Sequence, residues 1–457
     1  VSERDLGSIF KAYDVRGVVP DQLDDDVARR VGAAFAEWSG ASRIALGRDA
    51  RPSSPSLAAA FTEGVTSRGV DVVDLGLVST DLLYFSSGDL DLPGTVITAS
   101  HNPPQYNGLK FCRVGAAPVG EESGLREIRA LAERDSYPPS ASRGRTERRD
   151  MLDRYVEHVL RFVDVSAMAP LTVVADTANG MGGLVVPAVM ERLPVKLVGL
   201  YLDIDGTFPN HPADPINPEN QRDLKGAVHH HAADVGMAFD GDADRIFLVD
   251  EKAEGVSGSL VTALVAKALL ETNPGATVVY NLICSWAVPE VIKESGGVPV
   301  RTRVGHSFIK QVMAETGAMF GGEHSGHYYF RENFRADSGL IAGVIVLQEM
   351  SRAGRPVSEL LEPFRRYHDS GEINTQVEDQ QGAMELVARH FADARQERLD
   401  GLTVEYDDWW FNVRPSNTEP LLRLNVEART PQLLEEKTAE VLALIRGEGR
   451  GGGGGTE

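Results

Sequence analysis

Cysteine is almost missing from this 457-residue chain. Cys112 and Cys284 are the only two, too few for a disulfide framework, and neither sits in a Cys-x-x-Cys pair. Both lie in apolar, strand-like stretches and read as buried thiols of a reducing compartment. Long hydrophobic runs are missing too. The longest clean one, around Leu340–Leu347, falls far short of a membrane span. The opening VSERDLGSIF has early acids and no apolar core, unlike a signal peptide. A cytoplasmic protein is expected, with no membrane partner. Basic residues are the third shortage: 46 Lys and Arg against 67 Asp and Glu leave a formal charge of −21. Generic nucleic-acid and anionic-membrane binders need a dominant basic surface, so both are excluded as the main function. An anionic substrate would have to be held by local arginines or backbone N–H groups against an unfavourable overall field.

What is present is ordinary globular material, 42% hydrophobic and 25% charged. At roughly 150 residues per domain, the length suggests about three domains, with two to four plausible. Short β-branched strands alternate with helical stretches, which points to an α/β fold with a largely parallel sheet. Strands are expected at Ile44–Gly47, Val70–Leu75 and Thr95–Thr98, with helices at Ser54–Arg68 and Leu125–Arg134. The polar stretch ERDSYPPSASRGRTERRD marks a first boundary. A second unit carries strands Leu171–Asp176, Val195–Leu202, Val235–Asp240 and Ile246–Asp250. A third carries Thr277–Cys284, Val298–Val304 and Met319–Phe320, then helices Ser338–Arg352 and Val357–Tyr367. After His368 comes an α+β pattern: strand Gly371–Val377, helix Ala383–Arg395, strands Leu402–Tyr406 and Leu421–Val426, helix Pro431–Ile445. The division expected is 1–149, 150–253, 254–368 and 369–448, with a disordered Gly-rich tail at 449–457.

Four segments carry chemistry. Thr98-Ala-Ser-His-Asn-Pro-Pro104 follows an apolar strand, so Ser100 sits where α/β active sites form. A serine needs activation to act as nucleophile or phosphate carrier, and His101 and Lys110 are nearby. The plain alternative is an Asn-Pro turn. In Phe239-Asp-Gly-Asp-Ala-Asp-Arg245, Asp240, Asp242 and Asp244 would repel one another unless a divalent cation joins them. Three monodentate oxygens leave positions open for phosphate, which suits Mg²⁺. Arg245 offers an anion a planar fork. A calcium EF-hand is disfavoured, because Arg245 stands where that loop needs Gly and the flanks read as strands. In Gly321-Gly-Glu-His-Ser-Gly-His327, alternation would set Glu323, Ser325 and His327 on one face of an extended strand, suited to a polyol. In Arg414-Pro-Ser-Asn-Thr-Glu-Pro420, Arg414, Ser416, Asn417 and Thr418, with Arg423, form a plausible phosphate cradle. Tyr13 and Arg16 could reach a substrate, and His306 and Lys310 open a helix after a strand. His229–His231 reads as a solvated helix face, and Trp409 and Trp410 as packing.

The order TASHNP, DGDADR, GEHSGH, RPSNTEP, preceded by FKAYDVRG, resembles the α-D-phosphohexomutase superfamily, nearest its bacterial phosphomannomutase/phosphoglucomutase group. The likeness spans the chain. It implies three related α/β domains and a smaller C-terminal α+β domain around a central cleft. By that likeness Ser100 carries phosphate, and Asp240, Asp242 and Asp244 hold Mg²⁺ with a phosphoserine oxygen. His101, Lys110 and Arg245 would flank the transfer, and Glu323, Ser325 and His327 would grip sugar hydroxyls. Tyr13, Arg16 and His306 would line the substrate site, and Arg414, Ser416, Asn417, Thr418 and Arg423 would bind the phosphate that is not reacting.

The implied enzyme is an isomerase of carbohydrate metabolism. It would interconvert mannose 1-phosphate and mannose 6-phosphate, and glucose phosphates besides, through a phosphoserine and a hexose 1,6-bisphosphate that also activates it. Its partner is the hexose phosphate. A monomer is expected, since four domains can close one cleft, with a dimer left open. His324 in GEHSGH resembles the mannose-type or dual group. Phosphoglucosamine mutase, a Ser- and Mg²⁺-dependent sugar phosphatase, and a non-catalytic sugar- or calcium-binding protein are the competing readings.

Overall fold

The computed structural model describes residues 6–134, 137, 140, 142–416 and 421–447. The Gly-rich tail at 449–457, and Asn417 and Thr418 of the expected cradle, lie outside them.

The described residues form four sheets in sequence order. The first three share one arrangement that sequence alone did not reveal. In each, two parallel strands are followed by a strand that returns antiparallel to the second. In the first sheet Arg43–Arg48 and Gly94–Ile97 are parallel, and Tyr106–Arg113 returns beside Gly94–Ile97. In the second, Leu171–Asp176 and Val235–Phe239 are parallel, and Ile246–Val249 returns. In the third, Thr277–Asn281 and Phe320–Gly322 are parallel, and Tyr328–Phe330 returns. The connection at the return holds one motif each time: Ser100, then Asp240–Arg245, then Glu323–His327. All three motifs therefore stand beyond the carboxyl end of a parallel strand, where such sheets bind ligands. The fourth sheet is wholly antiparallel, ordered His368–Gln376, Leu421–Ala428, Trp409–Pro415, Leu402–Glu405, Arg395–Glu397.

Packing divides the molecule differently. One continuous apolar core runs from Ala45 and Val73 of the first unit through Val173 and Phe239 of the second to Phe320 and Leu347 of the third. The fourth unit has its own core around Val387, Phe411, Leu424 and Ile445. It is tied to the third by polar contacts: the Trp286 amide donates to Glu427 (2.9 Å), the Val304 amide to Asp400 (3.1 Å), and Arg301 to Glu405 (3.0 Å). No helix among the described residues is long and apolar enough to cross a membrane.

Three elements differ from expectation. The helix expected over Ala383–Arg395 runs Gln380–His390. The Asp379 carboxylate accepts the Gly382 amide and starts it early. Phe391 then leaves helical geometry for the core, and Arg395–Glu397 is an edge strand. The helix expected to reach Tyr367 stops at Leu361, followed by a 3₁₀ turn with Pro363, which cannot donate to a continuing helix. Trp409–Pro415 is a strand buried on both faces, so its run WWFNV shows no alternation to read.

Candidate active site

The strand Gly94–Ile97 delivers Thr98 and then Ser100, which takes a left-handed backbone conformation (φ +50°). That conformation is uncommon for a residue with a Cβ. Thr98 Oγ1 accepts the Ser100 amide (3.0 Å), and the Ser100 hydroxyl donates to Asp240 Oδ2 of the second unit (2.8 Å). His101 Nδ1 is 3.3 Å from the same hydroxyl. The two loops meet at backbone contact: a Cβ on Gly241 would lie 2.4 Å from the Ser100 carbonyl oxygen, so only glycine fits there.

Asp240, Asp242 and Asp244 are buried, and each offers a carboxylate oxygen within 4.8 Å of the others. Positive and hydroxyl groups meet them, from the same loop and from the first unit. Lys110 Nζ is 2.7 Å from Asp242 Oδ2 and 2.9 Å from Asp244 Oδ2. Arg245 Nε donates to Asp240 Oδ2 (2.9 Å), and the Thr80 hydroxyl to Asp242 Oδ2 (2.6 Å). Burial pushes the Asp240 carboxyl up to about 8 against the pull of Arg245, with Asp244 and Asp242 adding to the rise. Burial also acts to raise Asp242, but the Lys110 ammonium outweighs it and holds that carboxyl well below the usual range. Lys110 itself is held charged: burial opposes this, but Asp242 and Asp244 prevail. Three buried carboxylates pulled in opposite directions are short of positive charge. Asp242 Oδ1 and Asp244 Oδ1 are moreover buried without a hydrogen-bond partner. An orphaned pair of carboxylate oxygens is what a cation would satisfy, so the triad could hold a metal ion.

The third unit contributes His327. Its Nδ1 lies 3.9 Å from Asp244 Oδ1 and 3.3 Å from Asp337 Oδ2. Asp337 in turn lies 2.8 Å from the buried Lys310, whose ammonium sits 3.9 Å from the centre of the Tyr84 ring. The expected alternation of Glu323, Ser325 and His327 along a strand is not found. The strand ends at Gly322, and Glu323–His327 is a hairpin turn: the Gly326 amide donates to the Glu323 carbonyl (3.1 Å) with Gly326 at φ +84°. Glycine makes that turn possible and breaks the period. Glu323 is buried and accepts from Asn281 (3.0 Å) and the Tyr329 hydroxyl (2.5 Å), while Ser325 is half-buried.

Tyr13 and His306 form a separate wall, their rings edge to face at 5.0 Å. Burial pushes the Tyr13 phenol up to about 12. Burial, with Lys310 nearby, brings His306 down to about 3. His101 is likewise held well below the ordinary histidine value, by burial and then by Arg245. Arg16 donates to Asn102 in the serine loop and pairs with Asp14 at 2.5 Å. In the fourth unit Arg414 is buried, bonding Asn425 (2.9 Å) and Glu372 (2.5 Å), with Arg423 3.5 Å from Glu372. The Ser416 amide donates to the Leu421 carbonyl (2.9 Å).

The structure thus gathers Ser100, His101, Lys110, the three aspartates, Arg245 and His327 into one constellation. Thr80 and Asp337 join it without having been singled out from sequence. No motif spacing marks either one: Thr80 opens a helix behind its Ser79 cap, and Asp337 stands in the polar stretch RENFRADSG.

The same organisation recurs in known proteins. Residues 7–138, 153–255 and 257–367 match the phosphoglucomutase/phosphomannomutase alpha/beta/alpha domains I, II and III. Residues 372–444 match the C-terminal domain of that description. The chain is 40% identical over 448 residues to a phosphomannomutase of Salmonella montevideo, covering 95% of this chain and 98% of that protein. It is 40% identical over 447 residues to a protein of Xanthomonas campestris pv. campestris named for phosphohexose mutases, covering 96% and 99%. A crystal structure of a phosphoglucomutase/phosphomannomutase family protein from Burkholderia thailandensis superposes with a TM-score of 0.87 at 33% identity, over 96% of this chain and 98% of that one.

Proposed function

The chain belongs to the phosphoglucomutase/phosphomannomutase family, and from that premise we propose how its cleft works. The protein is a phosphohexomutase, an intramolecular phosphotransferase that interconverts mannose 1-phosphate and mannose 6-phosphate, and glucose 1- and 6-phosphates besides. It does so through a phosphoserine and a hexose 1,6-bisphosphate. The observation that carries our assignment of roles is the Ser100 hydroxyl, 2.8 Å from Asp240 in an acidic triad supplied by another unit.

Ser100 is assigned as the phosphate carrier. In the first half-reaction a sugar hydroxyl oxygen forms a bond to the phosphorus of phosphoserine, and the P–Oγ bond breaks. The hydroxyl proton leaves to a base in the cleft, and the serine oxygen ends protonated. The second half-reaction reverses this at the sugar's other phosphate. His101, 3.3 Å from Oγ, is placed to exchange a proton with the serine oxygen. Asp240, Asp242 and Asp244 are assigned to hold Mg²⁺, which when bound would supply charge neutralisation for the phosphoryl group. Lys110 and Arg245 add fixed positive charge beside the same oxygens, where phosphoryl transfer is most sensitive to it. His327, whose Nδ1 lies 3.9 Å from Asp244 Oδ1, is assigned to the sugar at the edge of this centre. Glu323 and Ser325, with Tyr13, Arg16 and His306, are assigned to the sugar, and Arg414 and Arg423 to the distal phosphate. The bisphosphate as activator, action on free hexose phosphates by a single chain, and a cytoplasmic location complete the proposal.

Phosphorus NMR tests it. Purified protein with Mg²⁺ and a trace of hexose 1,6-bisphosphate is given mannose 1-phosphate or glucose 1-phosphate in separate tubes. The 6-phosphates should form, and Ser100→Ala should abolish them. Inorganic phosphate alone would mean a phosphatase.

A further inference from the structure

Behind the serine loop lies an arginine that touches neither the triad nor open solvent. Arg51 follows the strand Arg43–Arg48, and its side chain is 0% exposed. A guanidinium has five N–H donors, and here all five are used. Nε donates to Asp49 Oδ2 (3.0 Å). Nη1 donates to the carbonyls of Pro103 (2.8 Å) and Tyr106 (3.0 Å). Nη2 donates to the carbonyls of Ser100 (2.7 Å) and Asn102 (2.7 Å). Three carbonyls of one loop and that of the next strand's first residue thus point inward at one planar cation. Asp49 is fixed in its turn by the Arg51 amide (3.0 Å) and the Ser54 hydroxyl (2.5 Å). The second unit closes the outer side with the Phe208 ring, 5.1 Å from the guanidinium carbon.

This arrangement explains how Ser100 keeps its left-handed backbone. That conformation persists only where surroundings over-determine it. Arg51 fixes the carbonyl on one side of the Ser100 Cα, and Thr98 Oγ1 fixes the amide on the other. Between them they set the direction of the Cα–Cβ bond, and so aim Oγ at Asp240. We propose that Arg51 is a positioning residue for phosphoryl transfer: it holds the Ser100 loop in the one conformation that presents the seryl phosphate to the sugar hydroxyl and not to water. The proposal rests on Ser100 being the phosphate carrier. When the loop slackens, water replaces the sugar hydroxyl. Its oxygen forms the new O–P bond, the serine oxygen leaves with a proton, and inorganic phosphate is released.

The consequence is a change in partition, which lost packing alone would not produce. Arg51→Lys keeps the charge, but an ammonium has only three donors, so at least two of the five acceptors are left unpaired. Arg51→Met removes all five. Displacing reacting atoms by about 1 Å costs about 100-fold in rate. Arg51→Lys should therefore lose about 10-fold in kcat and Arg51→Met about 100-fold, with KM moving less than about threefold. Inorganic phosphate released per turnover should rise in both. Steady-state kinetics, phosphate release and the mass of the phosphoenzyme are measured together on wild type, both arginine variants and Ser100→Ala. If Arg51→Met does not fold, Arg51→Lys decides alone. Wild-type kcat and wild-type phosphate release in folded Arg51→Lys would overturn the proposal. A phosphoenzyme mass that persists in Ser100→Ala would instead move the carrier elsewhere, and would remove the premise whatever the arginine variants do.

Discussion

The two ends of the cleft are built on opposite plans. At the proposed transfer end, the contacts that join the serine, the lysine and the aspartates cross between units. Ser100, Lys110 and Thr80 of the first unit reach the aspartates of the second, and His327 of the third approaches the same loop. One apolar core also runs through all three units, beside smaller clusters within each. At the distal end, Arg414 and Arg423 pair with Glu372 and Asn425, all on the fourth unit, which carries a separate core. The difference follows from the chemistry proposed. In-line transfer needs atoms held to fractions of an ångström, which suits a rigid, shared core. Under that proposal the distal site would meet the 1-phosphate in one half-reaction and the 6-phosphate in the other. A cradle complete on one unit, joined to the rest by polar contacts, can release and regrip without disturbing the reacting end.

Substitutions at the two ends should separate accordingly. The largest loss is expected from Ser100→Ala, with turnover falling at least about 10⁴-fold and no phosphoenzyme seen by intact mass. Next comes Asp244→Asn, which removes one arm of the triad and one partner of Lys110. The kcat should fall by about 10²–10³-fold, and Mg²⁺ titration after chelation should show activity recovering only at higher metal than in wild type. At the distal end Arg423→Met should act differently, raising KM by roughly 10-fold with a smaller change in kcat, as expected for a lost charge-assisted bond to phosphate. A kcat loss as large as that of Asp244→Asn would erase the distinction drawn here.

The smallest effect concerns the loop of the second unit that sets Phe208 against Arg51. His211 Nε2 lies 3.0 Å from Asp176 Oδ2. Burial opposes its charged form, but the bond to Asp176 wins and raises its pKa. A raised histidine pKa gives stability that is full below the unfolded value near 6.5 and is lost as pH rises through the folded one. The melting-point advantage of wild type over His211→Asn should thus be on the order of 1–2 °C near about pH 5.5 and vanish near about pH 8.5. An advantage that grows with pH would reverse the assignment.

The transfer end was legible in sequence wherever its chemistry is contiguous. TASHNP and DGDADR each carry several functional groups in one loop, and a strand precedes both. What sequence could not show is what meets those loops from elsewhere. Thr80, Asp337 and Arg51 lie far from the residues they serve, and each looks ordinary in its own stretch. Glu323–His327 was placed in the right loop but given the wrong geometry, because Gly326 turns the chain where alternation assumed extension. The fourth unit was least legible. Its central strand Trp409–Pro415 is buried on both faces, with Trp409 turned to its own core and Trp410 toward Trp286 of the third unit. Tryptophans read as packing concealed both a strand and a joint between domains.

The central claim is that one serine accepts and returns phosphate at either sugar oxygen. Phosphopeptide mapping after incubation with labelled hexose 1,6-bisphosphate tests it directly, followed by a chase with mannose 1-phosphate or mannose 6-phosphate. Label is expected on the peptide holding Ser100, discharged by either monophosphate into hexose 1,6-bisphosphate. Label on another residue, or label discharged only as inorganic phosphate, would contradict it.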